Sequence, residues 1–503
     1  MSTARKVLSN TIWQFGAKFL LAMMGFVVIK ITTFYLAKTG SLVAYGQYLA
    51  IYEYLAYFGI AADLGLYTIA VKEMSKDEAN IPKFIGNILT LRLILVSATM
   101  LLASILVFLI PKYNYESSLI PIGVVLASGT VFFTILNGTI TSVLQTKYQM
   151  DKASIGVIFG KIISVAFMAY VIFFGYPEDY TAGFYMLIVA GVVGSLVTFL
   201  ITNHYVRKIT PLKLRFDFDL WKTVIVQSLP YGIALILSTI YFRINSMVIF
   251  FVRGEEELAI YGPAMKMLEQ FTILPLYFMN SVLPILTKAV TTNDKPRYQS
   301  IITNSFDVLA ALALPIVVGG FILAYPLVFV IATPDFLSDL SRGFYGTDIA
   351  LQILIFTLLF QFINVLFSFI LIALDQQKKL LYINLVCVIL NLVANLILVP
   401  EYGFRAAAAV SVVSEFFILA GNYIYAKKYL DFTISFQNFG KIVLSTISMG
   451  VVVYYLQPIT YTYLQNWNIF LLIVVGGLVY TGMIFATGTM SKEKLKLILK
   501  KES

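Results

Sequence analysis

Long apolar stretches separated by short polar connections run along almost the whole chain. About 20 apolar residues span the hydrocarbon core of a bilayer as a helix, and each stretch is near or above that length. The pattern therefore predicts an all-α polytopic membrane protein with about 14 transmembrane helices. We number these helices 1 to 14, and their expected positions are 10–37, 43–70, 84–110, 118–145, 153–175, 182–204, 221–252, 258–287, 300–332, 346–374, 380–399, 404–426, 438–456 and 468–488.

Composition agrees with this pattern, since 59% of the 503 residues are hydrophobic and only 12% are charged. Soluble domains are about 45–50% apolar and about 25% charged. The single cysteine and single histidine exclude a disulfide framework, a cysteine-ligated cluster and a paired-histidine zinc site. We expect no metal and no cofactor, apart from possible coupling to a proton or sodium gradient. The first apolar run exceeds a signal-peptide core and is expected to stay as a span.

The distribution of Lys and Arg predicts the orientation. Placing the N-terminus in the cytoplasm puts most basic residues of the connections inside, as the positive-inside rule requires. Both termini are then cytoplasmic and the expected location is the plasma (inner) membrane. The net charge of +10 is thus a feature of topology and of attraction to anionic lipid, not of nucleic-acid binding. The basic residues expected outside are Lys38, Lys112, Arg253 and Arg342.

Internal similarity divides the chain after helix 6. Residues on either side repeat at an offset of 216, which predicts two six-helix lobes in parallel orientation. The expected parts are an N-lobe at 1–204, a cytoplasmic linker at 205–220, a C-lobe at 221–426, and helices 13 and 14 with a basic tail at 427–503. Residues 10–204 should superimpose on 221–426 about a pseudo-two-fold axis. The matched positions are Gly16 with Gly232, Tyr45-Gly46 with Tyr261-Gly262, and Glu53 with Glu269.

Three groups of residues form motifs along the chain. They are Asn10, Trp13, Tyr45-Gly46-Gln47-Tyr48 and Asp63-Leu64-Gly65 in helices 1 and 2; Tyr261-Gly262-Pro263-Ala264, Leu268-Glu269 and Leu283-Pro284 in helix 8; and Asn391, Asn395, Pro400, Gly403, Ala406 and Ser414-Glu415 in helices 11 and 12. These motifs resemble those of the polysaccharide (O-antigen or lipid-linked oligosaccharide) flippases of the multidrug/oligosaccharidyl-lipid/polysaccharide exporter superfamily. The resemblance covers the whole chain, including the arrangement of 12 helices plus two. At one position the sequence departs from the family pattern, with Arg405 in place of a small residue.

This resemblance implies two lobes around a cavity and a non-enzymatic function. The substrate would be an oligosaccharide linked to undecaprenyl or dolichyl diphosphate, moved from the cytoplasmic to the outer leaflet by alternating access. Expected partners are this lipid-linked substrate, membrane lipids and glycan-assembly enzymes.

Charged residues inside the predicted spans are the candidate functional groups, because an ionisable side chain at mid-bilayer costs about 2.5–3.5 kcal/mol on insertion scales. Cations outnumber acids by two, and such a surplus favours an anionic partner such as a diphosphate. The cations are Lys18, Lys30, Arg92, Lys161, Arg243, Lys266 and Arg405; the acids are Glu53, Asp63, Glu269, Asp307 and Glu415.

Lys18, Lys30 and Arg243 are the leading candidates for substrate binding. Lys18 shares a polar helix face with Asn10 and Gln14, and that face requires a bundle interior or a cavity. Arg92 and Lys161 are further candidates, with snorkelling to the interface as the alternative. Asp63 and Arg405 lie near helix ends, where snorkelling is expected.

Lys266 is also a candidate for substrate binding, but its i,i+3 spacing from Glu269 favours an intrahelical ion pair. Glu53 has no cation near it on its own helix and is the first candidate for ion coupling. Glu269, Asp307 and Glu415 are the other candidates.

Polar and kinked positions in the second half of the chain allow two interpretations each. Asn384, Asn391 and Asn395 share one face of helix 11, where we expect hydrogen bonds between helices, with sugar hydroxyls as the alternative. Prolines in helices 8 and 9 predict bends that act either as hinges or as ordinary kinked packing. Helices 2 and 3 contain no internal proline. The prolines are Pro275, Pro284, Pro315 and Pro326.

Three other functions remain as alternatives. A membrane glycosyltransferase, polymerase or ligase needs a catalytic site outside the hydrocarbon, and the connections are too short to hold one. A multidrug/cation antiporter of the same superfamily should have an acidic cavity, whereas the surplus here is cationic. A peptidoglycan lipid-precursor flippase shares both the 14-helix plan and a cationic cavity.

Overall fold

The computed structural model describes residues 3–38 and 41–489, except for the side chains of residues 3–15, 17–19, Glu78, Pro230, Tyr231, Ala234 and Ser238. The described residues are helical and contain no strand beyond one isolated bridge, between Asp339 and Phe344. The α-helices are α1 Thr3–Ala37, α2 Val43–Asp63, α3 Leu66–Lys76, α4 Ile81–Leu109, α5 Ile120–Thr146, α6 Met150–Tyr170, α7 Tyr180–Arg207, α8 Phe218–Arg253, α9 Glu255–Phe271, α10 Ile273–Thr291, α11 Lys295–Ile322, α12 Ala324–Ile331, α13 Thr347–Ala373, α14 Gln377–Tyr402, α15 Phe404–Tyr429, α16 Gln437–Leu464 and α17 Asn468–Ala486.

The number of spans agrees with the sequence pattern. Among the described residues, 13 segments are long and apolar enough to cross a membrane. The last of these segments, Gln437–Ala486, contains both α16 and α17, which are joined by a single 3-10 turn at Gln465–Trp467. A total of about 14 transmembrane helices is therefore confirmed, and the chain is a multi-pass membrane protein.

Three predicted helices are each divided into two. Helix 8 forms α9 and α10, and helix 9 forms α11 and α12. Pro275 and Pro326 lie in the first turn after each break. Proline is tolerated there because the N–H groups of a first turn have no hydrogen-bond partner within the helix. Pro284 and Pro315 lie inside helices that continue past them. Two of the four prolines thus mark the breaks.

Helix 2 is broken as well, although it contains no proline. It ends as α2 at Asp63, and α3 begins at Leu66. Leu64 and Gly65 between them both have left-handed backbone, with φ of 46° and 72°. Gly65 adopts this conformation at little cost, whereas Leu64 is held there by its surroundings. Gly232 of α8 lies against this turn, since a Cβ at that position would be 2.9 Å from the Leu64 carbonyl oxygen.

Contacts divide the chain into two compact units, Met1–Ala259 and Ile260–Ser503. In the first unit α5 packs against α2, α4 and α7, and α6 packs against α7. In the second unit α13 packs against α10, α11 and α15, and α14 packs against α15. The two units thus share one order of packing. The six-helix lobes and their linker at 205–220 stay a prediction, and α8 packs against α2, α3 and α4 within the first unit.

Gly46, in the resemblance motif of α2, is required by a close approach to backbone. A Cβ at this position would lie 2.0 Å from the carbonyl oxygen of Glu255, the first residue of α9. We expect Gly46→Ala to lower the free energy of unfolding by about 1–3 kcal/mol, because overpacking forces the backbone to shift. Thermal unfolding of the detergent-solubilised protein, followed by intrinsic fluorescence, measures the effect.

Gly477→Ala is the matched control, since a Cβ there meets nothing within 4 Å. The control should unfold at or slightly above the wild-type midpoint, given the higher helix propensity of alanine. Equal midpoints for the two variants would contradict the role given to Gly46.

Candidate functional site

An ion pair joins two membrane-spanning helices of the first unit. The Arg243 guanidinium of α8 donates from Nη1 to Glu53 Oε2 of α2 at 2.7 Å. The Glu53 side chain is 10% exposed and the Arg243 side chain is 27% exposed. Glu53 has no cation on its own helix, as expected, and its counter-charge comes from another helix. Arg243, a predicted substrate-binding cation, thus lies together with a predicted coupling acid.

Two tyrosines lie near this pair. Tyr57 is one turn along α2 from Glu53, and Tyr113 stacks on Phe250 of α8 at 4.9 Å between ring centroids. Both are close enough to interact electrostatically with Glu53. Aromatic rings lower the local polarity, which strengthens the attraction between the two charges relative to water. Neither tyrosine is among the predicted site residues, although the i,i+4 spacing of Tyr57 from Glu53 was a usable signal.

Arg92 of α4 forms the most buried ionic contact. Its side chain is 2% exposed and pairs through Nη2 with the Asp63 carboxylate. Nη2 also donates to the Asp63 carbonyl oxygen at 3.3 Å, and Nη1 donates to Thr139 Oγ1 at 3.1 Å. The snorkelling alternative is therefore wrong for Arg92. The guanidinium binds the C-terminal end of α2 where predicted helix 2 breaks.

The intrahelical pair predicted on helix 8 is confirmed. Lys266 Nζ lies 3.1 Å from Glu269 Oε2 on α9, and both side chains are partly exposed. This pair neutralises itself locally, as the i,i+3 spacing predicts.

The other predicted cations occupy different surroundings. The side chain of Lys18 lies outside the described residues. Lys30 on α1 and Lys161 on α6 are half-buried, and these two helices pack against each other. Arg405 is the second residue of α15, and its guanidinium lies over the Tyr345 ring at 4.2 Å from the centroid. A cation–π contact thus accounts for the residue that departs from the family pattern.

The remaining candidate acids hold amide partners in the second unit. Glu415, 4% exposed, accepts a hydrogen bond from Gln361 Nε2 at 2.8 Å. Asp307 Oδ2 accepts one from Asn438 Nδ2 at 2.6 Å.

The asparagines of helix 11 join α14 to α15. Asn391 Nδ2 donates to Ser414 Oγ at 2.9 Å, and Asn395 Nδ2 donates to Asn391 Oδ1 at 2.8 Å. Asn391 and Asn395 are 1% and 0% exposed. These contacts support helix packing over the alternative of sugar binding for both residues.

Comparison with known proteins gives the family. Residues 7–290 match the family model described as "Polysaccharide biosynthesis protein", and residues 230–397 match the model described as MatE. Because the first match covers more than half of the chain, the chain belongs to the polysaccharide biosynthesis protein family. A search of the curated proteins found no match.

Solved structures of similar fold are transporters or flippases. A lipid II flippase, MurJ, in an inward closed conformation has a TM-score of 0.71 and 17% identity, covering 95% of this chain and 98% of its own. An inward-facing multidrug resistance MATE family transporter has a TM-score of 0.62 and 13% identity, covering 83% and 97%. A transporter from Pyrococcus furiosus Vc1, described as having reversed polarity in its binding pocket, has a TM-score of 0.56 and 15% identity, covering 82% and 95%.

At such identities the structural likeness shows the fold alone. Together with the family match, it places the chain among the membrane flippases and transporters of the multidrug/oligosaccharidyl-lipid/polysaccharide exporter (MOP) superfamily. The family and its structural neighbours are transporters or flippases, not enzymes.

The Arg92–Asp63 pair generates a stability prediction. Asp63→Asn leaves a buried guanidinium without its counter-charge, and we expect it to cost about 3 kcal/mol of unfolding free energy. This is the low end of the usual range, because the Asp63 side chain is 32% exposed. Denaturant unfolding in detergent micelles gives the value.

The double variant Arg92→Met/Asp63→Asn is the control, because it removes both charges. It should be more stable than Asp63→Asn alone. Additive losses from the two substitutions would show that the pair carries no coupling.

Proposed function

We propose that the protein moves an isoprenoid-diphosphate-linked oligosaccharide from the cytoplasmic to the outer leaflet of the plasma (inner) membrane. It does so by alternating access, during synthesis of a cell-surface glycan such as an O-antigen. Membership of the polysaccharide biosynthesis protein family supports the substrate class. The observation that carries the proposal is the Arg243–Glu53 pair, a partly accessible guanidinium held at 2.7 Å by a carboxylate between membrane-spanning helices.

The electrostatic requirement comes from the substrate. A diphosphate carries roughly two negative charges, and removing it from water is prohibitive without a nearby cation. The planar guanidinium binds phosphate oxygens through parallel N–H donors. In our proposal the diphosphate takes the place of Glu53 on Arg243. Lys18, Lys30 and Lys161 supply further positive charge along the path.

Displacement of Glu53 also provides a route to ion coupling. A carboxylate that loses its counter-charge in apolar surroundings binds a proton or a sodium ion. Glu53 would therefore take up the coupling ion when substrate binds and release it when Arg243 returns. Asp307, Glu415 and Glu269 are the other candidates for this role.

Replacement of Glu53 by the diphosphate on Arg243 would be linked to movement of the predicted lobes. In that division α2 belongs to the N-lobe and α8 to the C-lobe, so breaking the pair would accompany movement of one lobe against the other. With both termini cytoplasmic, two negative charges moving outwards across an inside-negative membrane gain about 2.3 kcal/mol per charge per 100 mV. The membrane potential would then contribute to export.

A peptidoglycan lipid-precursor flippase is the second candidate function, favoured by the likeness to the lipid II flippase over 95% of this chain. Its substrate is also a lipid diphosphate, so Arg243 would act in the same way. A multidrug/cation antiporter is the third, favoured by the MatE match. The surplus of cations within the spans argues against the third function.

The charge pair is tested by removing its members singly and together. Arg243→Ala should abolish glycan export in cells, and Arg243→Lys should retain part of it, because a point charge replaces the guanidinium fork. Glu53→Gln should preserve substrate binding while transport loses its dependence on the proton or sodium gradient. Export and surface expression are measured for each variant.

The double variant Glu53→Gln/Arg243→Ala separates a structural role from a transport role. It should fold and reach the membrane normally but fail to export, since no guanidinium remains for the diphosphate. Restored export in the double variant would show that the pair only holds α2 to α8. Lys295→Ala/Asp431→Asn removes an exposed pair, at 2.5 Å in the wild type, and should leave export unchanged.

The substrate class is tested with the purified full chain in vesicles. We expect transbilayer movement of a fluorescent undecaprenyl-diphosphate oligosaccharide to exceed that of fluorescent lipid II, with no uptake of ethidium. Faster movement of lipid II would favour the second candidate function. Ethidium uptake alone would favour the third.

A further inference from the structure

The connection between α7 and α8 is bound along α4 instead of extending freely into water. The backbone N–H of Arg215 donates to Thr90 Oγ1 at 3.1 Å, and that of Asp217 donates to Asn87 Oδ1 at 2.8 Å. Gly86 makes room for this approach, because a Cβ there would lie 2.3 Å from a backbone carbonyl of the connection. Its position along the chain predicted only a cytoplasmic linker.

An ion pair fastens the same segment at its end. Lys83 Nζ of α4 lies 3.1 Å from Asp217 Oδ2. The Asp217 carboxylate also accepts a hydrogen bond from the Leu220 backbone N–H at 3.1 Å. The Leu220 N–H and Lys83 together hold the pKa of the Asp217 carboxyl below its ordinary value. The acidic group of this segment is thus directed towards α4 and α8.

The position of these contacts along α4 places the segment at the edge of the bilayer. With 29 residues, α4 is about 44 Å long, against about 30 Å for the hydrocarbon core. A centred helix would project by about 7 Å at each end. Asn87 and Thr90 lie about 9 and 14 Å from the start of α4. The two contacts are therefore about 2 and 7 Å inside the hydrocarbon boundary, so the bound segment lies at the edge of the acyl region.

Apolar and charged residues alternate across the segment. The charged residues include Arg215 and Asp217, whose backbone N–H groups donate hydrogen bonds to α4. Residues 211–217 lie outside any helix, and a period of two separates the faces of an extended backbone. Three large apolar side chains are exposed on the alternate positions: Leu214 at 53%, Phe216 at 65% and Phe218 at 73%.

Two of these side chains form an aromatic group with Trp221. Its ring lies 5.9 Å from that of Phe216 and 5.2 Å from that of Phe218, between centroids. Trp221 in turn packs on the apolar core formed by α3, α4 and α5. Clustered aromatic rings at a span end are typical of the membrane–water interface.

Positive charge surrounds the exposed apolar face. Arg207, Lys208, Lys213, Arg215 and Lys222 are all exposed, and Asp217 and Asp219 are the acids between them. This balance is complementary to anionic headgroups, and exposed aromatic and aliphatic side chains are complementary to the upper acyl region.

We propose that residues 213–222 form a lipid-binding surface. Leu214, Phe216 and Phe218 insert at the acyl boundary of the adjacent leaflet, while Lys213, Arg215 and Lys222 bind the headgroups of anionic lipids. The surface is independent of the transported substrate, and its partner is the bilayer itself.

Nitroxide labelling of the full chain tests the insertion. Cys387→Ser removes the only cysteine, and single cysteines are then placed at positions 213 to 218. In vesicles of phosphatidylcholine and phosphatidylglycerol, collision rates with oxygen and with a nickel chelate report lipid and water exposure. We expect labels from Leu214→Cys, Phe216→Cys and Phe218→Cys to favour oxygen several-fold more than labels from Lys213→Cys and Arg215→Cys.

Thr292→Cys, in the exposed connection after α10, is the water-exposed control. Nickel access at the three apolar positions equal to that of the control would overturn the proposal. Shielding of these positions from both colliders would also overturn it, because protein rather than lipid would then cover the face.

The charge component is tested with the Phe216→Cys label. Phosphatidylglycerol should raise the oxygen-to-nickel ratio several-fold over phosphatidylcholine alone, and Lys213→Gln/Arg215→Gln/Lys222→Gln should abolish that rise. A ratio independent of phosphatidylglycerol would overturn the assignment of anionic lipid as the partner.

Discussion

A charge within the hydrocarbon must be neutralised by a partner, and this constraint organises the polar contacts of the spans. Three acids within the described spans, Glu53, Asp63 and Glu269, each hold a cation. Two of these pairs join different helices. The free-energy cost of leaving a charge unpaired in the hydrocarbon therefore favours contact between those helices. Glu415 and Asp307 accept hydrogen bonds from the amide groups of Gln361 and Asn438.

Burial separates an ion pair that holds the fold from one suited to exchange its partner. Arg92 is almost fully enclosed, and it also bonds to Thr139 and to the backbone at the end of α2. Replacing its carboxylate would leave several polar groups unsatisfied. Arg243 is about a quarter exposed, and its guanidinium pairs with Glu53. The second arrangement suits a guanidinium that alternates between a carboxylate and a diphosphate.

Local sequence patterns predicted the features that depend on a single helix. Apolar run lengths predicted the number of spans, and the i,i+3 spacing predicted the pair of Lys266 with Glu269. The pairing of Glu53 with Arg243 escaped prediction because it joins residues 190 positions apart. Helical periodicity gives the face on which a residue lies but not the helix that this face meets.

The break in helix 2 was missed for a related reason. It depends on left-handed backbone at Leu64 and Gly65, on the approach of Gly232 and on Arg92 at the end of α2. None of these contacts is visible in a search for proline. The lipid-facing role of residues 213–218 was equally hidden, because their alternation acquires meaning only once the segment is fixed against α4.

The contact between Arg243 and a diphosphate is the central claim, and solid-state nuclear magnetic resonance measures it directly. The full chain, labelled with ¹⁵N at arginine, would be reconstituted with undecaprenyl diphosphate, and dipolar dephasing between guanidinium ¹⁵N and ³¹P recorded. Spectra recorded without undecaprenyl diphosphate give the dephasing that headgroup phosphates cause at other arginines such as Arg215. Our account predicts additional dephasing when undecaprenyl diphosphate is present, typical of a separation of about 4 Å, and the loss of this addition in Arg243→Lys. Additional dephasing that persists unchanged in Arg243→Lys would contradict the claim.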